Sequence, residues 1–528
     1  MILVKLNEAN FEYDIYSLIK AFYPRENIVV DVDFKHEAPP EEISFRLVIE
    51  YSDNLIKLME VDDKVIEFDS TDKSDGKSDG GAKTNDKFAY SDSIKIDYSD
   101  RVNTKNYLKL LLYKYLSEKT NRKLPWGTLT GIRPTKVPLK MIEDKYSGDE
   151  IYDFMRETYE ISQKKAALSY KIALAEHKLL VDVSKNLGHE RQPGDTSLAD
   201  LCEDAYSLYV GIPFCPSTCL YCSFTSYPVG IYKDMMDEYI DALEKEIDFV
   251  SKNLGDKKLT TIYVGGGTPT SLSAEQLDRI FTMLEQKLNL NHVMEFTVEA
   301  GRPDSITKDK LQTMRDHNIS RISINPQTMN DKTLKLIGRH HSVEDIRQSY
   351  EMAREMGFDD INMDLILGLP GEDAKDIAYT FSEIAKLKPD NLTVHSLALK
   401  RSARLNIQWG EYENMLMENS EDYMNLSHKV AAEMGMKPYY LYRQKNMAGN
   451  LENVGFATEG KEGLYNILIM EEKQTIIALG AGTSCKYVSD GGATVTRSEN
   501  VKDVKLYIDR IDEMIDRKRE KLEEMGWL

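Results

Sequence analysis

The sequence predicts an α/β protein built around a partial parallel barrel of six βα units, with an N-terminal α+β region and a C-terminal α/β extension. From about Tyr206 onward, short apolar runs alternate with amphipathic stretches, which is typical of a parallel βα succession. Cysteine, glycine and polar residues gather just after the apolar runs, where such barrels carry their chemistry. Because 528 residues exceed one ordinary core, we expect three regions, residues 1–200, 201–400 and 401–528, with the last covering the site.

The N-terminal region combines predicted strands and helices. Residues 28–34 and 45–49 alternate apolar and polar side chains as strands do, whereas residues 104–118 and 160–187 have helical character. Residues 70–87 contain no large apolar or aromatic side chain, so burial cannot offset the entropy lost when they are ordered. We therefore expect a small strand-rich module with a flexible insertion.

Six short apolar runs in the central region are predicted strands. They cover residues 207–211, 261–265, 295–299, 321–325, 362–367 and 392–396. Between the first two, apolar residues recur near every 3.6 positions from 236 to 250, as in an amphipathic helix. Ser273 followed by Gln276, and Ser342 followed by Asp345, are typical helix starts. Helices therefore alternate with the strands.

Residues in or just after the carboxyl-terminal parts of the predicted strands indicate one functional site. In strand order they are a cysteine loop, the run Gly265, Gly266, Gly267, Thr268 and Pro269, then Glu299, Gln327, Asp364 with the turn 368–371, and His395 with Ser396. Because the carboxyl ends of parallel strands meet at one mouth, we expect these residues to converge.

The cysteine loop contains Cys215, Cys219 and Cys222 in a C-x3-C-x2-C spacing. Three thiolates are one too few to close a four-iron cube, so one iron would remain open to another ligand. An open metal position is a reactive position.

Three other interpretations of the loop remain: a zinc site, a disulfide and a set of buried thiols. Zinc needs a fourth cysteine or histidine, but the other cysteines are Cys202 and Cys485, and no histidine stands between His189 and His292. A disulfide needs an oxidising compartment, and charged residues interrupt the N-terminus where a signal peptide needs an apolar stretch.

The composition limits the partners. The 88 acidic and 68 basic residues give a net charge of −20, which disfavours binding to nucleic acid or to anionic membranes. No apolar run is long enough to cross a bilayer. Five cysteines, three of them clustered, fit a reducing cytoplasm, which is the predicted location.

Two carboxylates in the predicted strands need partners, because a buried charge is costly when it is unpaired. For Glu299 and Asp364 the alternative to a functional role is a salt bridge to Arg321 or Arg339. The glycines of the second loop lack the pattern of a dinucleotide fingerprint. They form either a tight turn or a place where backbone approaches a ligand closely.

Two clusters of basic residues are also ambiguous. Lys400, Arg401 and Arg404 lie just after the sixth strand and would either bind a substrate carboxylate or form a solvated face. No metal-ligand spacing accompanies His340 and His341, so we expect that pair on the surface. Cys485 is expected to be a small core residue.

Several motifs together resemble the radical S-adenosylmethionine superfamily. The cysteine loop with its preceding residues 209–214, the run 265–270, and residues 321–327 and 362–370 look like the oxygen-independent coproporphyrinogen III oxidase group. Residues 126–136 and 222–227 narrow the resemblance to the HemZ type. Gly211 stands where the bacterial oxidases usually have histidine. Phe224 stands where they have a further cysteine, and matches the related haem-chaperone branch.

The resemblance implies two cofactors. The three cysteines would bind a [4Fe-4S] cluster, whose open iron is chelated by S-adenosylmethionine. By the same resemblance the cofactor-binding residues are Gly265, Gly266, Gly267, Glu299 and Arg339 at the methionine end, Gln327 and Asp364 at the ribose, and the Ile366 backbone beside the adenine, together with Thr268. Tyr209 and Glu299 would have catalytic roles.

The resemblance also implies an activity. One electron cleaves the sulfonium, and the resulting 5′-deoxyadenosyl radical takes a hydrogen atom from a propionate of coproporphyrinogen III. Loss of carbon dioxide leaves a vinyl group, and two such reactions give protoporphyrinogen IX. The implied partners are a porphyrinogen substrate and an electron donor such as a flavodoxin or ferredoxin. The alternatives are a haem chaperone without decarboxylase activity and, against the net charge, a radical enzyme that modifies RNA.

Overall fold

A computed structural model of the chain describes residues 1–32, 43–61, 88–192, 194–415, 419–444 and 450–528. The predicted insertion at 70–87 lies outside the described residues. The chain divides into two compact units, Met1–Gly131 with Asp149–Ala167, and Ile132–Gly148 with Leu168–Leu528. The division into three regions remains a prediction. None of the described helices has the length and apolar character needed to cross a bilayer.

Strands and helices alternate along most of the described chain. The strands are β1 (Ile2–Leu6), β2 (Ile28–Asp31), β3 (Phe45–Ser52), β4 (Leu55–Val61), β5 (Phe88–Lys95), β6 (Ala205–Ile212), β7 (Phe214–Cys215), β8 (Tyr227–Pro228), β9 (Lys258–Gly266), β10 (Glu295–Gly301), β11 (Arg321–Ile324), β12 (Ile361–Leu367), β13 (Asn391–Ser396), β14 (Lys437–Tyr442), β15 (Asn453–Ala457), β16 (Thr475–Leu479), β17 (Ser484–Ser489) and β18 (Thr494–Glu499). The helices are α1 (Glu12–Phe22), α2 (Arg101–Thr120), α3 (Lys136–Glu143), α4 (Gly148–Tyr159), α5 (Gln163–Asn186), α6 (Val229–Tyr232), α7 (Met236–Asn253), α8 (Ala274–Lys287), α9 (Lys308–Asp316), α10 (Asp331–Leu336), α11 (Val343–Glu355), α12 (Ala374–Leu387), α13 (Arg404–Ile407), α14 (Trp409–Tyr412), α15 (Glu421–Glu433), α16 (Leu464–Glu471), α17 (Val504–Asp509) and α18 (Ile511–Glu524).

The first unit is a five-stranded sheet with helices. The strand order is β2-β1-β3-β4-β5, in which β1 pairs in parallel with β2 and β3, and β3, β4 and β5 are antiparallel. Alternate residues of β3 are buried, as the predicted alternation requires, and they join the apolar residues of α1 and α2 in one core. Predicted helices at 104–118 and 160–187 are confirmed as α2 and α5.

The second unit contains an eleven-stranded sheet in the order β14-β15-β13-β12-β11-β10-β9-β6-β16-β17-β18. All six predicted strands of the central region are confirmed as β6, β9, β10, β11, β12 and β13, which lie side by side and parallel. The sheet continues beyond them, because β16 adds in parallel to β6 while β15 adds antiparallel to β13. The C-terminal residues therefore extend both edges of the predicted partial barrel.

Helices begin where the sequence indicates. Ser273 and Gln276 exchange side-chain and backbone hydrogen bonds at the start of α8, and Ser342 and Asp345 do the same at the start of α11. The apolar face of α7 is buried as its periodicity predicts. Connecting helices of this kind fix the strands so that their carboxyl ends share one edge of the sheet.

Candidate functional site

The cysteine loop follows β6 and is fixed by backbone hydrogen bonds from two neighbouring loops. The amides of Gly267 and Thr268, after β9, donate to the carbonyls of Ile212 and Phe214 at 2.8 Å. On the other side, the amide of Leu220 donates to the carbonyl of Ile337 at 2.9 Å. The loop that carries the thiols is therefore a fixed part of the strand ends.

The glycines after β9 permit this close approach. A β-carbon on Gly267 would lie 2.7 Å from the carbonyl oxygen of Phe214, and one on Gly265 would lie 2.9 Å from a carboxylate oxygen of Glu299. Gly266 has a φ of 109°, which L side chains rarely adopt. Glycine is thus needed for close packing as well as for the turn.

Arg302, which follows β10, is hydrogen-bonded to the cysteine loop. Its Nη1 donates to the Ser217 carbonyl at 2.9 Å and lies 3.9 Å from Cys219 Sγ, and its other nitrogens donate to both carboxylate oxygens of Asp304. The buried His341 also lies beside Asp304, with its Nδ1 3.5 Å from Asp304 Oδ1. The prediction that His341 lies on the surface is therefore wrong.

The three thiols have little contact with solvent. Cys215 and Cys219 are buried and Cys222 is partly exposed. Burial, together with the neighbouring Cys222 and Cys219, raises the pKa of Cys215 to about 12, although Thr268 Oγ1 donates to its sulfur at 3.5 Å. Bare thiolates are unfavourable here, and a metal would provide the missing positive charge.

A cavity of about 650 Å³ opens at the carboxyl ends of the strands. Its lining includes five residues predicted to be functional: Cys222, Glu299, Gln327, Asp364 and Ile366. The cysteine loop, β10, the loop after β11 and β12 contribute them, so the predicted convergence is confirmed for these side chains. Among the described residues, the lining does not include Tyr209, the glycines after β9, Thr268 or Arg339.

Glu299 is an acid whose ionisation is suppressed. Burial, and the charge of Asp364, raise its pKa to about 7, although Tyr263 O–H donates to it at 2.5 Å. The pKa of Asp364 is instead lowered. Burial opposes its ionisation, but His395, at 3.8 Å, and Asn362, which donates at 2.8 Å, outweigh that effect. Two nearby carboxyls therefore differ in charge state near neutral pH.

Neither carboxyl forms the salt bridge considered from the sequence. Arg321 pairs with Asp360 at 3.2 Å, and Arg339 donates to the Asn325 carbonyl and, at 3.2 Å, to Tyr221 O–H. That alternative is therefore wrong for Glu299 and Asp364.

Three buried polar atoms of the segments after β11 have no hydrogen-bond partner among the described residues: Asn325 Oδ1, Gln327 Oε1 and Arg339 Nε. Gln327 has a φ of 67° and is fixed by backbone bonds to the Asp364 carbonyl and the Ile366 amide. Buried polar atoms are normally paired, so these atoms fit a polar ligand.

A stack of tyrosines lies behind Glu299. The rings of Tyr209 and Tyr263 stack at 6.0 Å, and Tyr263 and Tyr465 stack at 4.6 Å. Tyr209 thus contacts the cavity through Tyr263. Tyr263 and Tyr465 were missed from the sequence, although Tyr263 pairs in register with Tyr209 on the adjacent strand.

The basic cluster after β13 packs against the cysteine loop. Arg404 Nη2 donates to the Thr218 carbonyl at 2.8 Å, and the amide of Leu405 donates to the Leu220 carbonyl at 2.9 Å. Lys400 contributes to the cavity lining, whereas Arg401 is exposed. Cys485 is buried against Ala478, which confirms the core assignment.

The residues at this site fit an iron–sulfur cluster with a polar ligand. In the described ranges, no group of three or more histidine, cysteine, aspartate and glutamate side chains converges on one point as the ligands of a single ion do. A cube binds each thiolate at a different iron, so its ligands are spread around it. Of the three unpartnered polar atoms, Gln327 Oε1 belongs to a residue of the cavity lining.

Several known proteins are similar to this chain. The Radical SAM superfamily profile matches residues 209–384. HemZ of Bacillus subtilis (strain 168), an oxygen-independent coproporphyrinogen-III oxidase-like protein, is 38% identical over 80% of this chain and 81% of its own length. The heme chaperone HemW of the same organism is 34% identical over 58% of this chain and 76% of its own length. Coproporphyrinogen III oxidase (HemN) from Escherichia coli has a TM-score of 0.49 at 24% identity, covering 59% of this chain and 70% of that one.

These matches define the class of protein. The chain belongs to the radical SAM superfamily, in the group of coproporphyrinogen III oxidase-like proteins that includes HemZ. Membership of the superfamily implies a [4Fe-4S] cluster and S-adenosylmethionine as cofactors.

Proposed function

We propose that this protein removes two propionate carboxyl groups from coproporphyrinogen III as carbon dioxide, without oxygen, and gives protoporphyrinogen IX. The observation that supports the proposal is the single cavity lined by Cys222, Glu299, Gln327, Asp364 and Ile366. The strong similarity to HemZ, an oxidase-like protein, supports the substrate class. The absence of a long apolar helix from the described residues is compatible with the proposed cytoplasmic location.

Cys215, Cys219 and Cys222 would hold the cluster, and S-adenosylmethionine would bind in the adjoining part of the cavity. Together the two cofactors supply a one-electron reductive cleavage that generates a carbon radical able to abstract hydrogen. Glu299 would accept hydrogen bonds from the ligand's ammonium group, whose positive charge favours the ionised form of this carboxyl. Arg339, with its unpartnered Nε, would bind the ligand's carboxylate.

The other side chains orient the ligand. Asp364, which is ionised at neutral pH because its pKa is lowered, would accept hydrogen bonds from ribose hydroxyls, beside Gln327. The Ile366 amide is already bonded to the Gln327 carbonyl, so Ile366 offers an apolar surface next to the adenine. The tyrosines behind Glu299, including Tyr209, exclude water from the reacting end of the cavity.

The substrate would occupy the remaining part of the cavity. Each propionate loses one hydrogen atom, one carbon dioxide and one electron as it becomes a vinyl group, so an electron acceptor is also required. Lys400 contributes positive charge to the lining and suits a substrate with several carboxylates, whereas the charge of Arg321 is already paired with Asp360.

A second candidate is a haem chaperone. Phe224, where the oxidases have a further cysteine, and the 34% identity to HemW favour it. A chaperone of this kind would bind haem stably and would release no carbon dioxide from a propionate.

An anaerobic assay distinguishes the two candidates. The protein is reconstituted with iron and sulfide, then incubated with dithionite, S-adenosylmethionine and coproporphyrinogen III, and the products are separated after oxidation to porphyrins. Vinyl products are expected. 5′-Deoxyadenosine without vinyl product would reject this substrate, and stable haem binding without either product would favour the chaperone.

Two cysteine variants test the cluster assignment. Cys219→Ala removes a proposed ligand and should abolish both the brown colour and vinyl formation. Cys485→Ala changes a buried thiol that contacts Ala478, and it should retain both. Retention of a full iron complement by the Cys219 variant would contradict the assignment.

A further inference from the structure

The residues around the cysteine loop form an exposed surface with an unusual charge. Its members are loop residues 216–218, which are partly exposed, the exposed side chains of Arg401, Arg404 and Ile407, and the exposed Phe224, which also lines the cavity. We call this surface the loop face. Arg404 donates to the Thr218 carbonyl, and Ser402 Oγ approaches the Ser223 carbonyl at 3.5 Å, so the basic segment lies directly on the loop.

The loop face is built from two stretches of chain that contain no acidic residue. One residue in six of the whole chain is acidic, at 88 of 528. Yet none occurs between Asp204 and Asp234, which bound the cysteine loop, or between Asp390 and Glu411, which bound the basic segment. A protein of net charge −20 repels acidic partners over most of its surface, whereas Arg401 and Arg404 would attract them to this face.

Apolar and arginine side chains occur together on the loop face. Phe224 is 74% exposed. Ile407, which is 70% exposed, lies in the same short helix as the exposed Arg404, and Arg401 precedes that helix. Exposed aromatic and arginine residues are enriched in protein interfaces, where they supply much of the binding energy.

We propose that the loop face is the docking site for an acidic one-electron redox protein that reduces the cluster. The inference rests on the proposed function in one respect: the cluster must receive one electron for each cleavage, and the donor is oxidised by one electron as the cluster is reduced. A partner seated on Arg404 would contact the segment between Cys215 and Cys219, because Arg404 donates to the Thr218 carbonyl in that segment. Opposite charge would steer the partner to this face.

The test uses the cluster-loaded protein and follows cluster reduction directly by absorbance and electron paramagnetic resonance. A photoreduced flavodoxin and a reduced ferredoxin, both acidic, are the donors, and binding of oxidised flavodoxin is measured by calorimetry. Arg401→Glu should slow flavodoxin-dependent reduction about tenfold at low salt and weaken binding, because it reverses a charge on the loop face. The wild-type rate should fall as salt is added.

Controls separate docking from other effects. Arg315→Glu makes the same charge change on an exposed residue of α9, which leads into the opposite end of the strands, and should leave the rate unchanged. Reduction by dithionite should be equal in all three proteins. Ile407→Ser should slow flavodoxin-dependent reduction without altering net charge.

Three outcomes would overturn the proposal. They are equal flavodoxin rates for Arg401→Glu and the wild type, failure of both acidic donors to reduce the wild-type cluster, and a rise in KM for coproporphyrinogen III in Arg401→Glu when dithionite is the reductant. The last result would assign Arg401 to substrate binding instead. Cluster reduction is read without substrate, so failure of the oxidase assay leaves this test intact.

Discussion

At the scale of single residues, the site is defined by two carboxyls that the fold holds in different charge states. Glu299 is neutral over much of the range below pH 7 because burial disfavours its charge, whereas hydrogen bonds and His395 keep Asp364 ionised. The sequence placed both carboxyls in predicted strands. It gave equal weight to a functional role and to salt bridges, and the structure does not contain those salt bridges. Their true partners, Tyr263 and His395, come from neighbouring strands.

Glu299→Gln should flatten the pH dependence of stability of the cofactor-free protein. The pKa of Glu299 rises from 4.5 unfolded to about 7 folded, so its favourable contribution is complete below pH 4.5 and is lost as the pH rises through 7. Relative to the variant, the wild type should lose about 2–3 kcal/mol between pH 5 and pH 8. Unfolding free energies measured by urea titration at both pH values check this. Parallel pH profiles for the two proteins would contradict it.

At the scale of elements, the cysteine loop depends on the turn after β9. The backbone of Gly267 lies so close to residues 212–214 that no side chain fits between them. The sequence left open whether these glycines form a turn or permit close approach, and the structure contains both. The segment that these glycines approach is the cysteine loop. Only the parallel pairing of β6 with β9 brings the two segments together.

Gly267→Ala should displace the cysteine loop. Its β-carbon would meet backbone atoms of Phe214 and Pro213 at 2.7 and 2.8 Å, and backbone cannot move away as a flexible side chain can. We expect a loss of about 1–3 kcal/mol in the free energy of unfolding and a lower iron content after reconstitution. Gly230→Ala, in α6, is the control because nothing lies within 4 Å of its added β-carbon. Equal iron content in both variants would refute the steric argument.

At the scale of the second unit as a whole, a buried ion pair joins α18 to α7. Glu246 in α7 accepts hydrogen bonds from Lys518 Nζ at 2.6 Å, Tyr507 O–H at 2.5 Å, the Gly480 amide at 2.7 Å and Asn500 Nδ2 at 2.9 Å. Both charged side chains are almost fully buried. The pair therefore fixes α18 and the turn after β16 against the helix that follows the cysteine loop.

Lys518→Met should destabilise the protein strongly. It leaves the buried carboxylate of Glu246 without its cation, which typically costs about 3–5 kcal/mol. Lys521→Met, on the same helix, removes the more exposed pair with Glu524 and should cost less than about 1 kcal/mol. Denaturant unfolding of both variants measures the difference. Similar midpoints would mean that the buried pair contributes no more than a surface one.

The sequence by itself determined the six parallel strands, the helix starts at Ser273 and Ser342, and the cysteine loop, because each is a local pattern of periodicity, capping or spacing. It also indicated Glu299, Gln327 and Asp364, since strand ends share one edge in any parallel βα succession. Only the tertiary structure decided which side chains meet, including Arg302 at Cys219 and Arg404 at Thr218. It also decided that residues after 450 extend both edges of the sheet through β15 and β16. These contacts join residues up to hundreds of positions apart, and no local pattern carries that information.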